Sequence, residues 1–360
     1  MAANDIHEEE LLIEILSRLP VKSLVRFNSV CRSWKTLIQS PSFVSAHLSR
    51  SNVNADPPLL VHFYSPHAIS LLCNRTLVRL ENLELPPIRK DSSLKILGPS
   101  NGIYCFYHCD AGEIVLWNPS MHESRFIQRF KRPREDLWTT ERGTVGFGYD
   151  PKSQDYKVVR VIPKNEERGS YRAEVYSLRS DSWKRIETHL PRMYLCSTIH
   201  TCLKGVCYWL PLYIADIVVS FDLNREVFRV IRSPEYENAN FLRHEICRDY
   251  VNLASNEDLS LMICPYDGKS MTVDIWTRTE PGGLETWTKR FSFGPIVQKC
   301  MPLGFWKDDE ILIEAKKGEM ISYNLNTQKA KVLRYLRVSV RLLTYYTESL
   351  VSIKGDAQSA

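Results

Sequence analysis

Five times between residues 114 and 333, a strand-like run enters a polar turn and returns as a polar-aromatic run. The segments are IVLWNPSMHESRFI (Ile114 to Ile127), EVYSLRSDSWKRI (Glu174 to Ile186), VVSFDLNREVFRVI (Val218 to Ile231), VDIWTRTEPGGLETWTKRF (Val273 to Phe291) and MISYNLNTQKAKVL (Met320 to Leu333). Each carries an Asn-Pro, Ser-Asp, Asn-Arg, Gly-Gly or Asn-Thr pair, residues that tolerate the backbone angles of a hairpin. Repetition at roughly 45 to 60 residues implies one structural unit used many times. Further apolar runs, LLVHFY (Leu59 to Tyr64), GIYCFYH (Gly102 to His108), YKVVRVI (Tyr156 to Ile162), GVCYWL (Gly205 to Leu210) and EILIEA (Glu310 to Ala315), read as buried strands, and no long amphipathic helix intervenes. Radial arrangement of such units leaves only short, protected sheet edges, whereas a two-sheet sandwich of this length exposes longer ones. The body from about residue 59 to 355 is therefore expected to be a β-propeller-like domain, its repeat close to the spacing of kelch-type blades. The segment YTESLVSI (Tyr346 to Ile353) is expected to pair near the first strand and close the ring.

The first 48 residues follow a different period. Leu11, Leu12, Ile15, Leu16 and Leu19 fall on one helical stripe from Asp5 to Leu19, and Pro20 ends it. A second short helix fits Val21 to Phe27. A third carries Val30, Cys31, Trp34, Leu37 and Ile38 and stops at Ser40-Pro41, and a final turn holds Phe43, Val44 and Leu48. A module of this size rarely buries enough surface to stand alone below about 40 residues. Either these helices pack on the rest of the chain, or they offer an apolar face to a partner. The polar stretch SRSNVNADPP (residues 49–58) reads as a surface linker between the two parts.

Composition narrows the function classes. With 47 basic and 42 acidic residues the net charge is +5, too small and too dispersed to imply nucleic-acid binding. No run approaches the ~20 apolar residues of a membrane span. Glu8, Glu9 and Glu10 stand where an export signal needs positive charge, so the ten cysteines are expected as reduced thiols in the cytosol or nucleus.

The run from Leu11 to Ile38, LLIEILSRLPVKSLVRFNSVCRSWKTLI, resembles the F-box. The matching positions are Ile15-Leu16, Leu19-Pro20, Ser23-Leu24, Arg26, Val30-Cys31, Ser33-Trp34 and Leu37, with Ile6-His7 where the family usually has Leu-Pro. The resemblance implies a three-helix motif that binds a Skp-type adaptor, and through it a cullin and a RING subunit. It places adaptor contact at Ile6, Ile15, Leu16, Leu19, Pro20, Leu24, Val30, Cys31 and Trp34. For each of them packing inside the helical module is the competing reading. The body resembles the F-box-associated domain, a kelch-like, C-terminal interaction domain of plant F-box proteins. The matching segments are GPSNGIYCF (Gly98 to Phe106), WNPSMHESR (Trp117 to Arg125), GFGYDPKSQDYKVVRV (Gly146 to Val161), EVYSLRSDSWKRI, LKGVCYWL (Leu203 to Leu210), SFDLNREVF (Ser220 to Phe228), the Trp287-Thr288-Lys289 run and YTESLVS. The resemblance implies a substrate-recognition subunit of a Skp–cullin–F-box ubiquitin ligase whose propeller-like domain holds an unnamed target protein for degradation.

No phosphate-binding loop, dinucleotide glycine fingerprint or nucleophile elbow is present. Cys196, His200, Cys202 and Cys207 lie close in sequence, but their spacing fits no standard zinc finger. No metal, cofactor or catalytic residue is expected. Asp110, Glu113 and Glu123 are acids without a visible partner. Trp117, Trp183, Trp209, Trp276, Trp287 and Trp306 read as blade packing. Target contacts are expected on loops, with Arg129 to Arg142, Lys164 to Tyr171, Pro234 to Arg243 and Arg278 to Leu284 as candidates. The alternatives are an F-box scaffold outside a ligase and a β-propeller enzyme.

Overall fold

The computed structural model describes residues 10–52, 56–63, 68–128, 143–163, 171–188, 190, 198–211, 217–234, 250–253, 258–264, 269–279, 286–296, 300–307, 309–315, 318–336 and 339–354. Four helices come first: α1 (10–16), α2 (Val21–Phe27), α3 (Arg32–Gln39) and α4 (Pro41–Asn52). Helix α1 ends at residue 16, three residues short of the expected limit. A tight turn follows it, with Leu19 N–H donating to the Leu16 carbonyl at 3.0 Å. Cys31 caps α3 rather than belonging to it. Helix α4 continues to Asn52, four residues into the stretch read as linker. Polar contacts explain the extension: the His47 ring meets the Leu19 carbonyl at 3.0 Å, and Arg50 pairs with Glu14.

Six four-stranded antiparallel sheets follow. Blade 1 holds β1 (Leu59–Phe63), β2 (Ile69–Leu72) and β3 (Arg79–Leu83); blade 2 holds β4 (Leu94–Ser100), β5 (Ile103–His108), β6 (Glu113–Asn118) and β7 (Glu123–Ile127). Blade 3 holds β8 (Thr144–Asp150), β9 (Asp155–Pro163), β10 (Tyr171–Ser177) and β11 (Ser182–Ile186). Blade 4 is β12 (Thr198–Leu203), β13 (Val206–Pro211), β14 (Ile217–Asp222) and β15 (Val227–Arg232). Blade 5 is β16 (Tyr250–Leu253), β17 (Leu259–Ile263), β18 (Met271–Thr279) and β19 (Thr286–Ile296). Blade 6 is β20 (Met301–Trp306), β21 (Glu310–Glu314), β22 (Glu319–Asn324) and β23 (Lys329–Tyr335). The last strand, β24 (Val340–Tyr345), returns to blade 1 and pairs with β1, giving the order β24-β1-β2-β3.

The propeller architecture expected from the repeat is present, and its five recognised units are the two outer strands of blades 2 to 6. Inner strands are apolar on both faces because every blade is packed between two others. On β1, Leu59, Val61 and Phe63 join a cluster with Trp306 and Leu312 of blade 6, while Leu60 joins Tyr104 and Phe106 of blade 2. On β5, Cys105 and Tyr107 face blade 3 and Tyr104 and Phe106 face blade 1. Six such clusters fill the six clefts between blades. Their apolar burial, at about 25 cal/mol per Å², is the main stabilising term.

The hairpin turns share a side-chain device. Asn118 Oδ1 accepts the Ser120 and Met121 N–H groups, Asp222 Oδ1 those of Asn224 and Arg225, and Asn324 Oδ1 that of Thr327. Four residues after each of them the backbone turns left-handed, at His122, Glu226 and Gln328. The opening Asn or Asp thus organises the turn through its own carbonyl or carboxylate. Indole N–H groups link neighbouring blades: Trp183 donates to the Gln128 carbonyl and Trp287 to the Arg232 carbonyl, both at 2.7 Å. Trp209 donates to the Val145 carbonyl at 3.2 Å.

Ring closure differs from expectation. The closing strand is β24, in the register Leu59↔Tyr345, Leu60↔Thr344 and Val61↔Leu343, and not residues 346–353. The Tyr346 N–H still donates to the Pro58 carbonyl at 2.8 Å, beside the start of β1, but the rest run extended without strand pairing, held by side chains of blade 2.

A polar lock joins blades 3 and 4. Lys157 Nζ donates to the Leu223 carbonyl at 2.6 Å and lies 3.3 Å from the buried Asp150 carboxylate, which also receives Ser153, Asn224 and the Lys152 N–H. Burial alone would raise the Asp150 pKa, but these hydrogen bonds outweigh it and hold it at about 2, against 3.8 ordinarily. A depressed carboxylate pKa contributes stability present above the unfolded value and lost as pH falls through the folded one. The stability gap between the wild type and Asp150→Asn should therefore be full at pH 7 and shrink as pH falls from about 4 to about 2. Urea unfolding midpoints across that range check this, and a pH-independent gap would contradict it.

Candidate partner interfaces

The helical module has a small core and an uncovered exterior. Leu16, Val21, Leu24, Ile38 and Phe43 are buried together, and Phe27 meets Trp34 edge-on at 5.4 Å between ring centres. Outside this core, Leu11 is 60% exposed, Ile15 52%, Val25 38% and Val30 60%. Leu11 and Ile15 lie one turn apart on α1 and so share a face. The expected adaptor-contact residues divide accordingly. Ile15, Pro20, Val30 and Cys31 are exposed, Leu19 and Trp34 are half-buried, and Leu16 and Leu24 are sealed inside the module. Ile6 lies outside the described residues. Leu11 and Val25 are exposed as well and lie outside the expected set, although Leu11 opens the apolar stripe of α1.

The core also takes one residue from the far end of the chain. Leu350 is buried among the helical residues, and Met121 from the turn between β6 and β7 packs beside it. The Glu348 carboxylate accepts the Val21 N–H at 2.8 Å, at the start of α2, where Pro20 has no side chain to cap the helix. A cleft of about 1000 Å³ lies between this module and blade 1, lined by Leu19, Pro20, Arg50, Leu80, Glu81 and Glu348 among others.

Strand direction decides which face of the ring each connection serves. β1 begins and β24 ends on the side that carries the helices. In blades 2 to 4 the turns between the two outer strands, 119–122, 178–181 and 223–226, leave on that same side. The long connections 128–143, 187–197 and 233–249, together with 164–170, span strand ends on the opposite side. Three of the four segments expected to touch a target are thus flanked by strand ends on the face away from the helices. The fourth, Arg278 to Leu284, follows β18 and leaves on the helical side. Most residues of all four lie outside the described set. Toward the far face, blade 3 encloses charge: Arg160 and Glu174 stand opposite each other in the β9–β10 register, and Arg172 Nε lies 3.0 Å from Glu174, all three buried.

Of the acids without a visible partner, Glu123 is buried and accepts the Ile353 N–H at 3.0 Å, and Asp110 accepts the Ser93 hydroxyl. Cys202 faces Cys207 across β12 and β13, His200 Nε2 lies 3.4 Å from the Phe147 N–H, and Cys196 lies outside the described residues. No three His, Cys, Asp or Glu side chains converge as metal ligands among the described residues.

Residues 67–353 match the family described as the F-box associated beta propeller domain, and residues 9–45 match the F-box domain. The chain belongs to the F-box-associated β-propeller family. "F-box protein CPR1" of Arabidopsis thaliana is 29% identical over 372 residues, covering 90% of this chain and 83% of that protein. "Putative F-box protein At5g62660" of the same plant is 32% identical over 337 residues, covering 87% and 83%. Among solved structures, an oligogalacturonate lyase in complex with manganese shares 10% identity over 78% of this chain and 74% of that one. Its TM-score of 0.45 is too low to bear on function.

Within the F-box, the split between sealed and exposed positions separates stability from docking. Leu24→Ala should destabilise the F-box by about 2–5 kcal/mol, the cost of a cavity at a fully buried leucine. Val30→Ala should change stability by less than about 0.5 kcal/mol, because an exposed side chain loses little on truncation. Thermal unfolding of both variants, monitored by helix-sensitive circular dichroism, checks the contrast.

Proposed function

We propose that this protein is the target-recognition subunit of a Skp–cullin–F-box ubiquitin ligase. The F-box takes a Skp-type adaptor, which brings a cullin and a RING subunit, and the propeller holds a target protein for ubiquitination and proteasomal degradation. The observation that carries this reading is an F-box whose Leu11, Ile15, Val25 and Val30 stand exposed, joined in one chain to a six-bladed propeller. Large apolar side chains left in water on so small a module favour a partner that covers them.

The protein itself supplies no nucleophile in this reading. It raises the effective concentration of target lysines near a ubiquitin-charged enzyme, which is catalysis by proximity. Adaptor contact is proposed at Leu11, Ile15, Val25, Pro20, Val30 and Cys31, with Leu19 and Trp34 at the margin and Leu16 and Leu24 supporting them from within. The assembly is proposed to work in the cytosol or nucleus.

The test is capture of a purified Skp-type adaptor by the full chain, followed by assembly with cullin and RING subunits. Ile15→Asp with Val30→Asp should weaken adaptor capture at least about a hundredfold, as expected when charge enters a desolvated interface core. The propeller should unfold at the wild-type temperature. No capture by the wild type at micromolar concentration would overturn the proposal, and capture of adaptor without cullin would favour a scaffold outside a ligase.

A further inference from the structure

Residues 346–353 are held on two sides. Blade 2 grips one side through its outer hairpin. The Asn118 side-chain amide donates to the Ser349 and Val351 carbonyls at 3.0 and 2.8 Å. Glu123 Oε2 accepts the Ile353 N–H at 3.0 Å and the Ser352 hydroxyl at 3.1 Å, and Arg125 donates to the Ile353 carbonyl at 3.2 Å. Ser120 meets the Tyr346 hydroxyl at 2.9 Å and accepts the Ser349 N–H at 3.1 Å. Gly102, at a φ of +77°, lets the segment pass so closely that a Cβ there would lie 2.6 Å from both Ser349 Cβ and the Thr347 carbonyl oxygen.

The other side faces the F-box. Glu348 caps α2 through the Val21 N–H, and Leu350 completes the F-box core. The closing ladder ends at Tyr345, with a last backbone bond from the Tyr346 N–H to the Pro58 carbonyl, so neither Glu348 nor Leu350 serves it. A chain end that only needed to be tied down would not send a carboxylate and a leucine into another module.

We propose that residues 346–353 form a positioning strap that fixes the F-box in one orientation on the propeller. Glu348 and Leu350 are the positioning residues, and Asn118 and Glu123 anchor them to blade 2. The consequence for a ligase rests on the function proposed above: the far face of the propeller would then point in one direction relative to a bound adaptor. The strap itself does not depend on that reading. Without Glu348 and Leu350 the α2 amide loses its acceptor and the F-box core gains a cavity, while neither residue belongs to a blade-to-blade cluster; those clusters take Tyr346, Val351 and Ile353 from the strap instead.

The test uses the full chain. Glu348→Ala with Leu350→Ala should enlarge the radius of gyration and broaden the distance distribution in small-angle scattering. Exchange of the Val21 amide should accelerate about tenfold, the effect of losing one charge-assisted hydrogen bond. Amides of the inner blade strands should keep their protection, and Glu348→Gln, which retains an acceptor oxygen, should restore most of the Val21 protection. An unchanged scattering curve with unchanged Val21 exchange would overturn the strap, as would loss of protection throughout the propeller. If the double variant fails to fold, Glu348→Ala alone decides through the same amide. Adaptor capture is measured in parallel: a wild type that binds no adaptor overturns the ligase role, whereas the scattering result still decides the strap.

Discussion

The backbone pairing of β24 with β1 governs the rest of the molecule. Each blade is apolar on both faces, so no blade has a stable exterior of its own, and a row of them buries every face only when the row becomes a ring. Five register pairs, from Leu59↔Tyr345 to Phe63↔Val340, join the two ends of the propeller by hydrogen bonds. The join also fixes where the extra pieces of chain go. The segment from the F-box enters β1, and the tail leaves β24, at neighbouring points on one face. Closure therefore brings the helical module and residues 346–353 together, although more than three hundred residues separate Val21 from Glu348.

Much of this was legible in the sequence, for identifiable reasons. The outer hairpins of blades 2 to 6 were visible because an Asn, Asp or Ser opens each described turn and a polar strand follows it. The matching hairpin of blade 1 was not, since Cys73 stands at the opening position and Leu77 takes the left-handed backbone. Helix α2 was read to the residue because Pro20 starts it sharply. Helix α4 was read short because its last turn is held by Arg50 and Ser51, polar residues that a search for apolar stripes passes over. Residues 346–353 were misread as a strand. The segment is as apolar and polar by turns as a strand, but its hydrogen-bond partners are the side chains of Asn118, Glu123 and Arg125, more than two hundred residues away.

The same residues explain why two stretches that resemble the family occur in one chain. Trp117 to Arg125 and Tyr346 to Ser352 look unrelated in sequence, yet they are two halves of one contact. Asn118 does double duty there: its oxygen organises the β6–β7 turn and its nitrogen holds the tail. Gly146 to Val161 serves blades 3 and 4 in the same way through Asp150 and Lys157. These polar groups are buried and satisfied, and removing one partner strands the other at a cost of about 1–3 kcal/mol. Apolar clusters hold the blades together, but such locks fix which blade meets which.

Where a receptor acts by proximity, the connection between its two ends sets the outcome as much as the affinity of either. A free tether spreads the second partner over a volume, and its effective concentration falls roughly as the −3/2 power of tether length. A connection made by a plain linker alone would be such a tether. The strap changes the regime. With Leu350 in the F-box core and Asn118 and Glu123 on blade 2 gripping the same eight residues, the F-box and the ring become one body. In such a body the direction of the far face is a property of the fold, and under the proposed ligase role a target's lysines gain from being held where they lie along that direction.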